Sequence, residues 1–468
     1  MTLENKQEKN KFTLWLLAWP IFIELFLQLL LGAVDILMVS RISDDAVAVV
    51  GFSNTLFHAL MTLFMTIASG AGILIAQKLG SGKGADARTI AIMAFNVTVL
   101  IGIVLSVILY LIPRKIAALF QLSEQLLPLA EVYISIVGGG MVLTAMMATL
   151  STVIRNTGNT KAPMYIAIGM NIVHVFLNYA FIYGAFGFPQ WGLTGVAIST
   201  VVSRLLATVL LVIMFVGAFE QRIAWSDFKL FNGKLFKEVL KIGWPLGVNM
   251  SSWVFTQLVI FTFLAVLGTQ ELAARTYMNT LESFCFMLGY SIALAVQIQI
   301  AHLFGAGRTK EAYSSAYRAL RIGLIVVSVN ALLLYVFGSQ LLGLFTSDQE
   351  IIALGVSLLG LNLVLQPGKM LNMALGNSLN ALGDTRFTMI VGILSMWLIA
   401  TGLSYVVGIH MGWGLVGIYL CMIADEYVRG GLSLYRWHDR KYLKRAEQKQ
   451  AQQTLGVPKS TQSSSSVV

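Results

Sequence analysis

The 468-residue chain is 57% hydrophobic and 12% charged, with a mean hydropathy of +0.77. A soluble domain carries about 25% charged residues, so the composition excludes a water-exposed globule and points to an all-α integral membrane protein. The net charge of +10 does not indicate nucleic acid as a partner, because Lys and Arg sit in short runs between apolar stretches, as membrane topology signals do.

A spanning helix needs about 20 apolar residues. In chain order the pattern predicts twelve, at 13–40, 46–77, 89–112, 127–153, 162–186, 192–219, 236–266, 271–304, 318–345, 349–379, 387–409 and 413–437. The polar stretch 1–12 reads as a cytoplasmic N-terminus, and the apolar run after it is too long for a signal-peptide core, so a retained first helix is expected. The organisation that follows is an N-lobe at 13–219, a cytoplasmic linker at 220–235, a C-lobe at 236–438 and a disordered Gln/Ser-rich cytoplasmic tail at 439–468. Cys285 and Cys421 lie inside apolar segments with no metal-ligand spacing.

The basic residues set the expected orientation. With a cytoplasmic N-terminus, the inner segments hold Lys6, Lys9, Lys11, Lys78, Lys83, Arg88, Arg155, Lys161, the linker lysines, Arg308, Lys310 and Arg386, while the outer segments hold only Arg41, Arg114, Lys115 and Arg275. Both termini then lie inside, in a multi-pass cytoplasmic (bacterial inner) membrane protein.

The chain also repeats itself. A shift of 225 places Trp19-Pro20 on Trp244-Pro245, Asn54-Thr55-Leu56 on Asn279-Thr280-Leu281, and IAQKLGSGKGADA (75–87) on IAHLFGAGRTKEA (300–312). The same shift places Gly158-Asn159-Thr160-Lys161 on Gly383-Asp384-Thr385-Arg386, and a shift of 222 places WGLTGVA (191–197) on WGLVGIY (413–419). Two copies of six helices enter the membrane from the same side, which puts a pseudo-twofold axis along the membrane normal.

An ionised carboxylate at membrane depth costs at least roughly 2.5–3.5 kcal/mol, so each such acid needs a partner, a proton or a purpose. Glu24, Gln28 and Asp35 form one polar stripe on the first helix, because eleven residues return to within about 20° of the starting face. Glu24 reads either as a second proton or substrate-cation site or as an acid paired inside the bundle. Asn171, His174 and Asn178 share a face of the fifth helix. An imidazole near Asp35 would favour proton coupling, since His titrates near neutrality, whereas a structural histidine bonded to a carbonyl is the plainer alternative. Lys369 is an intramembrane cation whose acid is to be sought among Glu282, Asp425 and Glu426, and Glu426 can pair with Arg429 on its own helix. Asn249, Ser251, Ser252, Thr256 and Gln257 give the seventh helix a polar face suited either to a wet cleft or to contacts between helices. The 20 Met and 26 Phe suit a site that accepts many shapes, though none is singled out as a ligand.

No enzyme signature is present. GSGKG at 80–84 lacks the full phosphate-loop pattern, and its repeat copy GAGRT marks it as a turn. No cofactor is expected.

Pro20 followed by Asp35 in VDILMV, AQKLGSGK after the second helix, RNTGNTKAP after the fourth, LNYAFIYG on the fifth, ELAARTYMNTLESFCFML around the eighth and NALGDTR after the tenth together resemble the multidrug and toxic compound extrusion (MATE) transporters, nearest in the first lobe to the NorM-type branch. The resemblance covers about 12–435. It implies a two-lobed bundle with alternating access that exports small cationic amphiphiles across the lipid bilayer in exchange for H⁺ or Na⁺, working as a monomer. It also implies a coupling-ion site at Asp35, Asn178 and Thr200, with Asp35 and Asn178 as metal ligands if Na⁺ is the ion. His174 departs from the Asn common in the family, Trp253 and Lys369 replace second-lobe acids of the NorM-type branch, and Glu24 is outside the pattern.

The expected mechanism is antiport with Pro20 as the hinge of the first helix. A proton moving down 100 mV gains about 2.3 kcal/mol, and one pH unit adds about 1.4 kcal/mol. One-for-one exchange of a proton for a monocation is electroneutral and keeps only the pH contribution, so strong export would need a second proton, for which Glu24 and His174 are the candidates. The alternatives are a lipid-precursor flippase of the same superfamily, which should need more helices and a basic cleft, and a non-transporting scaffold or receptor.

Overall fold

The computed structural model describes residues 13–440 and Leu443. The expectations for 1–12 and for nearly all of the tail lie outside the described residues. Twelve helices follow one another: α1 (Leu14–Val39), α2 (Asp44–Gly80), α3 (Gly84–Leu111), α4 (Leu127–Gly138 and Met141–Asn156), α5 (Lys161–Tyr183), α6 (Gly192–Val216), α7 (Gly233–Leu267), α8 (Thr269–Gly305), α9 (Thr309–Val336), α10 (Gln349–Ala381), α11 (Thr385–His410) and α12 (Gly414–His438). Among the described residues there is no strand. Ten of these helices, and α4 as a pair bent by 43°, are long and apolar enough to cross a membrane. The twelfth, α12, is less apolar because every 18-residue stretch of it contains Asp425, Glu426 and Arg429.

The ninth span needs correction. It was expected at 318–345, but α9 begins on polar Thr309 and ends at Val336, and a short helix, Gly338–Gly343, follows. Hydropathy misses such a start because the first turns protrude from the apolar layer. The repeat would have found it: Gly84 and Pro113, where α3 and the short helix Pro113–Leu119 begin, map by 225 onto Thr309 and Gly338.

Core packing shows how the two lobes meet. At one end of the bundle two cores contain residues of both lobes. Leu14, Leu17, Ala18 and Ile21 of α1 pack with Ile292, Ala316 and Leu375 of the C-lobe, and Leu235, Val239 and Ile242 of α7 pack with Ile73, Ile90 and Leu150 of the N-lobe. At the other end each core stays within one lobe, from Val39 to Ala197 in one and from Ile260 to Met422 in the other. The lobes are therefore joined at one end and independent at the other, which is the geometry of a cleft open to one side.

Glycines make the joined end tight. A Cβ on Gly80 would lie 2.1 Å from the His302 carbonyl oxygen, and one on Gly305 would lie 2.0 Å from that of Gln77. The two contacts are repeat copies of each other, so α2 and α8 cross on the pseudo-twofold axis. Gln77 Nε2 donates to Ala381 O at 2.6 Å and His302 Nε2 lies 2.8 Å from Asn156 O, so each lobe also grips the other by side chain. A backbone carbonyl cannot move aside as a side chain can. Gly305→Ala is therefore expected to destabilise the joined arrangement by about 1–3 kcal/mol, which shifts a two-state equilibrium by roughly 5- to 150-fold. The check is maleimide labelling of a cysteine introduced at Ala76, which is fully buried between the lobes, in a Cys285→Ser/Cys421→Ser background. Labelling should rise sharply in the glycine variant.

Pro20 sits inside an unbroken α1. Its missing N–H frees the carbonyl of Leu16, and Thr160 Oγ1 donates to that oxygen at 3.4 Å. The C-lobe copy, Pro245, is likewise inside α7.

Candidate functional site

The first cluster lies in the N-lobe where α1, α5 and α6 converge. Asp35 reaches α5, where His174 and Asn178 are one helical turn apart and present their side chains together. His174 Nε2 lies 2.8 Å from Asp35 Oδ1, Asn178 Nδ2 donates to the same oxygen at 2.8 Å, and the two α5 nitrogens are 3.0 Å apart. On its other side the imidazole meets α6: Nδ1 is 3.1 Å from Ser203 Oγ, which lies 3.1 Å from Thr200 O. His174 and Asn178 are buried, while the Asp35 carboxyl is 16% exposed. The acid is thus the edge of the cluster that faces outward.

The expected site residues do not all meet. Asn171 Nδ2 donates to Ala167 O and Thr200 Oγ1 to Val196 O, so neither touches Asp35. Thr200 instead meets Tyr133 of α4, and Arg204 of α6 lies within electrostatic reach of both Tyr133 and Asp35 while donating to Thr144 Oγ1 at 3.0 Å. Tyr133 immediately precedes the π-helical turn Ile134–Gly138 that leads into the bend of α4, a deformation common at functional sites. Sequence reasoning missed both residues. Arg204 had a signal, since a cation in mid-span is as costly as an acid.

Glu24 is paired. Arg155 Nη1 of α4 lies 3.3 Å from its carboxylate, and both side chains are nearly buried. Glu24 thus has a cation beside it inside the bundle. Gln28 is exposed and takes no part in either cluster.

The second cluster lies in the C-lobe. Lys369 finds its acid in Glu282: Nζ donates to Oε2 at 3.1 Å. The other carboxylate oxygen accepts from the Tyr419 hydroxyl at 2.7 Å, and that hydroxyl accepts from Arg275 Nη1 at 2.6 Å. Arg275 itself stands 3.5 Å from Glu282. Arg275, counted among the outer-segment cations although the expected eighth helix at 271–304 includes it, is only 5% exposed and lies about two turns inside α8. Asp425 and Glu426 are both served by Arg429, at 3.0 Å for Glu426 and in a short contact for Asp425. Ser395 Oγ donates to Asp425 at 2.6 Å, and Asn372 Nδ2 donates to Glu426 at 2.8 Å. These two acids do not reach Lys369. No carboxylate stands at Trp253 or Lys369, and the adjacent acids Asp425 and Glu426 are both held by Arg429.

A MatE family model matches the chain twice, over residues 20–180 and 245–406, in register with the internal repeat. An uncharacterized transporter, YisQ of Bacillus subtilis (strain 168), is 32% identical over 95% of this chain and 98% of its own. A probable multidrug resistance protein NorM of Thermotoga maritima is 26% identical over 92% of both chains. A crystal structure of a MATE protein in a bent conformation superposes with a TM-score of 0.85 at 17% identity, over 94% of this chain and 96% of its own; at that identity the likeness speaks to fold. Together with the duplicated six-helix lobes, these matches place the chain in the MATE family of membrane transporters, and it is not an enzyme.

Proposed function

We propose that the chain exports organic cations by antiport with protons, and that the coupling proton resides on the Asp35–His174 pair. The carrying observation is the line Asp35–His174–Ser203, whose heavy atoms serve two proton counts without moving. If Ser203 donates to Thr200 O, it accepts from His174 Nδ1–H, and the 2.8 Å contact between Nε2 and Asp35 then needs a further proton. If Ser203 turns its hydrogen to Nδ1, Nε2–H donates to an ionised Asp35 and the pair holds one proton fewer. The loaded site therefore becomes the unloaded one by releasing one proton to water at the exposed Asp35 edge, with the Ser203 hydroxyl turning to match the new imidazole tautomer. A cationic substrate drawn to the unloaded carboxylate competes with the proton, which is the coupling an antiporter needs.

Placing the joined end of the bundle in the cytoplasm accords with Lys78, Lys83, Arg88 and Arg308 at that end, and it makes this state outward-facing with both termini inside. With Glu24 committed to Arg155, His174 is the stronger candidate for any second proton. One observation favours Na⁺ as a second reading. The Oδ1 atoms of Asn171 and Asn178 are buried with no hydrogen-bond partner among the described residues, and hard cations prefer such oxygens. Against it, both donors on Asp35 are nitrogen groups, and an imidazole is a poor ligand for a hard cation.

The test is uptake of a fluorescent cation into proteoliposomes under clamped voltage. A pH jump at constant Na⁺ should drive it, and a Na⁺ jump at constant pH should not. Na⁺-driven movement would replace the proton reading with the second one, while movement of a lipid precursor alone would favour a flippase. No movement under either gradient would leave a scaffold.

A further inference from the structure

The first three turns of α7 carry their positive charge on one side. At 100° per residue, Lys234, Lys237, Lys241 and Trp244 fall within about 80° of one another, and all four are exposed. The far side of the same turns buries Leu235, Val239 and Ile242 against the N-lobe. That packing fixes the rotation of the helix, so the lysine sector faces away from the protein. The one acid on these turns, Glu238, lies beside the sector and stands 3.6 Å from Lys78 of α2. Lys234, Lys237 and Lys241 have no carboxylate partner among the described residues.

Two features separate this stripe from a plain topology signal. Such a signal needs cations near the membrane, but it does not need them on one face. Like charges spaced i, i+3 and i, i+4 repel and weaken a helix, a cost that a bound anion removes. The stripe is also missing from the repeat. The residues 225 positions earlier are Lys9, Phe12, Leu16 and Trp19, one cation where α7 has three. The duplicated scaffold therefore does not require it.

We propose that this face of α7 binds the phosphate headgroup of an anionic phospholipid. Seven residues of helix separate Lys234 from Lys241 by about 10 Å, so three flexible stems can bring their ammonium groups onto one phosphodiester. The occupant is a lipid rather than a free anion because the sector and its flank continue in apolar side chains. Leu240 is 38% and Trp244 65% exposed, at the point where α7 enters its apolar stretch. A ligand with a phosphate at one end and acyl chains at the other matches both parts of this surface. The site is independent of the coupling ion and of the exported substrate.

Trp244 reports on its own neighbours. The full-length chain is reconstituted into vesicles of phosphatidylcholine and phosphatidylglycerol, with bromine on the acyl chains of one lipid or the other. Quenching of Trp244 is read as the difference between the wild type and Trp244→Phe. Phosphatidylglycerol should bind beside Trp244 at least about fivefold more tightly than phosphatidylcholine, the effect of a single lysine on an anionic headgroup. In Lys234→Gln/Lys237→Gln/Lys241→Gln the ratio should fall to about one. Quenching by brominated phosphatidylcholine should persist there, because the substituted side chains are on the surface and the helix stays in place. Arginine at the same three positions keeps the charge and should keep the preference. Equal binding of the two lipids in the wild type, a ratio unchanged in the glutamine variant, or a ratio lost in the arginine variant overturns the proposal. A preference abolished by inorganic phosphate at constant ionic strength would also overturn it, marking a site for a free anion.

Discussion

Asp35→Asn is expected to abolish pH-driven export, with a loss of at least about 100-fold in initial rate in proteoliposomes, while the fold survives. The variant keeps the size and the Oδ1 acceptor, so the 2.8 Å contact from Asn178 can still form. What it loses is the ability to exist in two charge states. Without a negative state there is nothing for a cation to pair with in the N-lobe, and without a neutral state there is no proton to return. Removing one full charge from a partly desolvated pair is worth several kcal/mol, which sets the expected scale. The unfolding transition in detergent should stay cooperative but fall, because Arg204 loses the carboxylate within its electrostatic reach and keeps only the neutral hydroxyl of Thr144. A variant that still pumps at the wild-type rate would remove Asp35 from the mechanism.

The second large effect is on stability. Glu282→Gln leaves Lys369 and Arg275 as two like charges facing each other through a neutral amide in a region where the acid is 4% exposed. Breaking a buried pair by removing one partner costs about 3–5 kcal/mol, and here two cations lose the same anion. A fall of roughly 5–10 °C in the unfolding midpoint is the expected result. The cost lies in the uncompensated charge, so Glu282→Gln/Lys369→Gln should regain a large part of it. If the double variant is no more stable than the single one, the energetic account of the cluster is wrong. Asp425 and Glu426 give a useful contrast, because they share Arg429 within one helix and have Ser395 and Asn372 as further donors; neutralising either leaves the arginine still paired.

The fold was readable because charge is scarce. Apolar runs separated by Lys/Arg clusters mark helices regardless of their packing, and the internal repeat carries helices that hydropathy alone marks weakly, such as α12 with its three central charges, which a shift of 222 relates to α6. What hydropathy cannot see is helix outside the apolar layer, which is why α9 was started too late and the short helices Pro113–Leu119 and Gly338–Gly343 were absent. The bend and π turn of α4 leave no trace in an apolar pattern.

The site was readable where its residues share a helix. His174 and Asn178 are one turn apart, so a common face follows from the sequence, and Asp35 stands out as an acid among apolar neighbours. Partners on distant helices were not readable. Nothing in the spacing says that Arg155 lies against Glu24, that Tyr133 and Arg204 flank the Asp35 cluster, or that Tyr419 bridges Arg275 to Glu282. Arg275 shows the cost of treating every helix-end cation as a topology signal, because a side chain in the second turn can fold back into the bundle. Asn171 shows the converse: it shares the α5 face yet spends its amide on its own backbone.

The antiport account stands on one exchange, proton for cation, at Asp35. Proton release on substrate binding tests it most directly: a cationic dye is titrated into purified protein in weakly buffered, Na⁺-free detergent solution while pH is recorded. The account expects about one proton released per dye bound in the wild type and none in Asp35→Asn. Binding without proton release, or release that persists unchanged in Asp35→Asn, would contradict it.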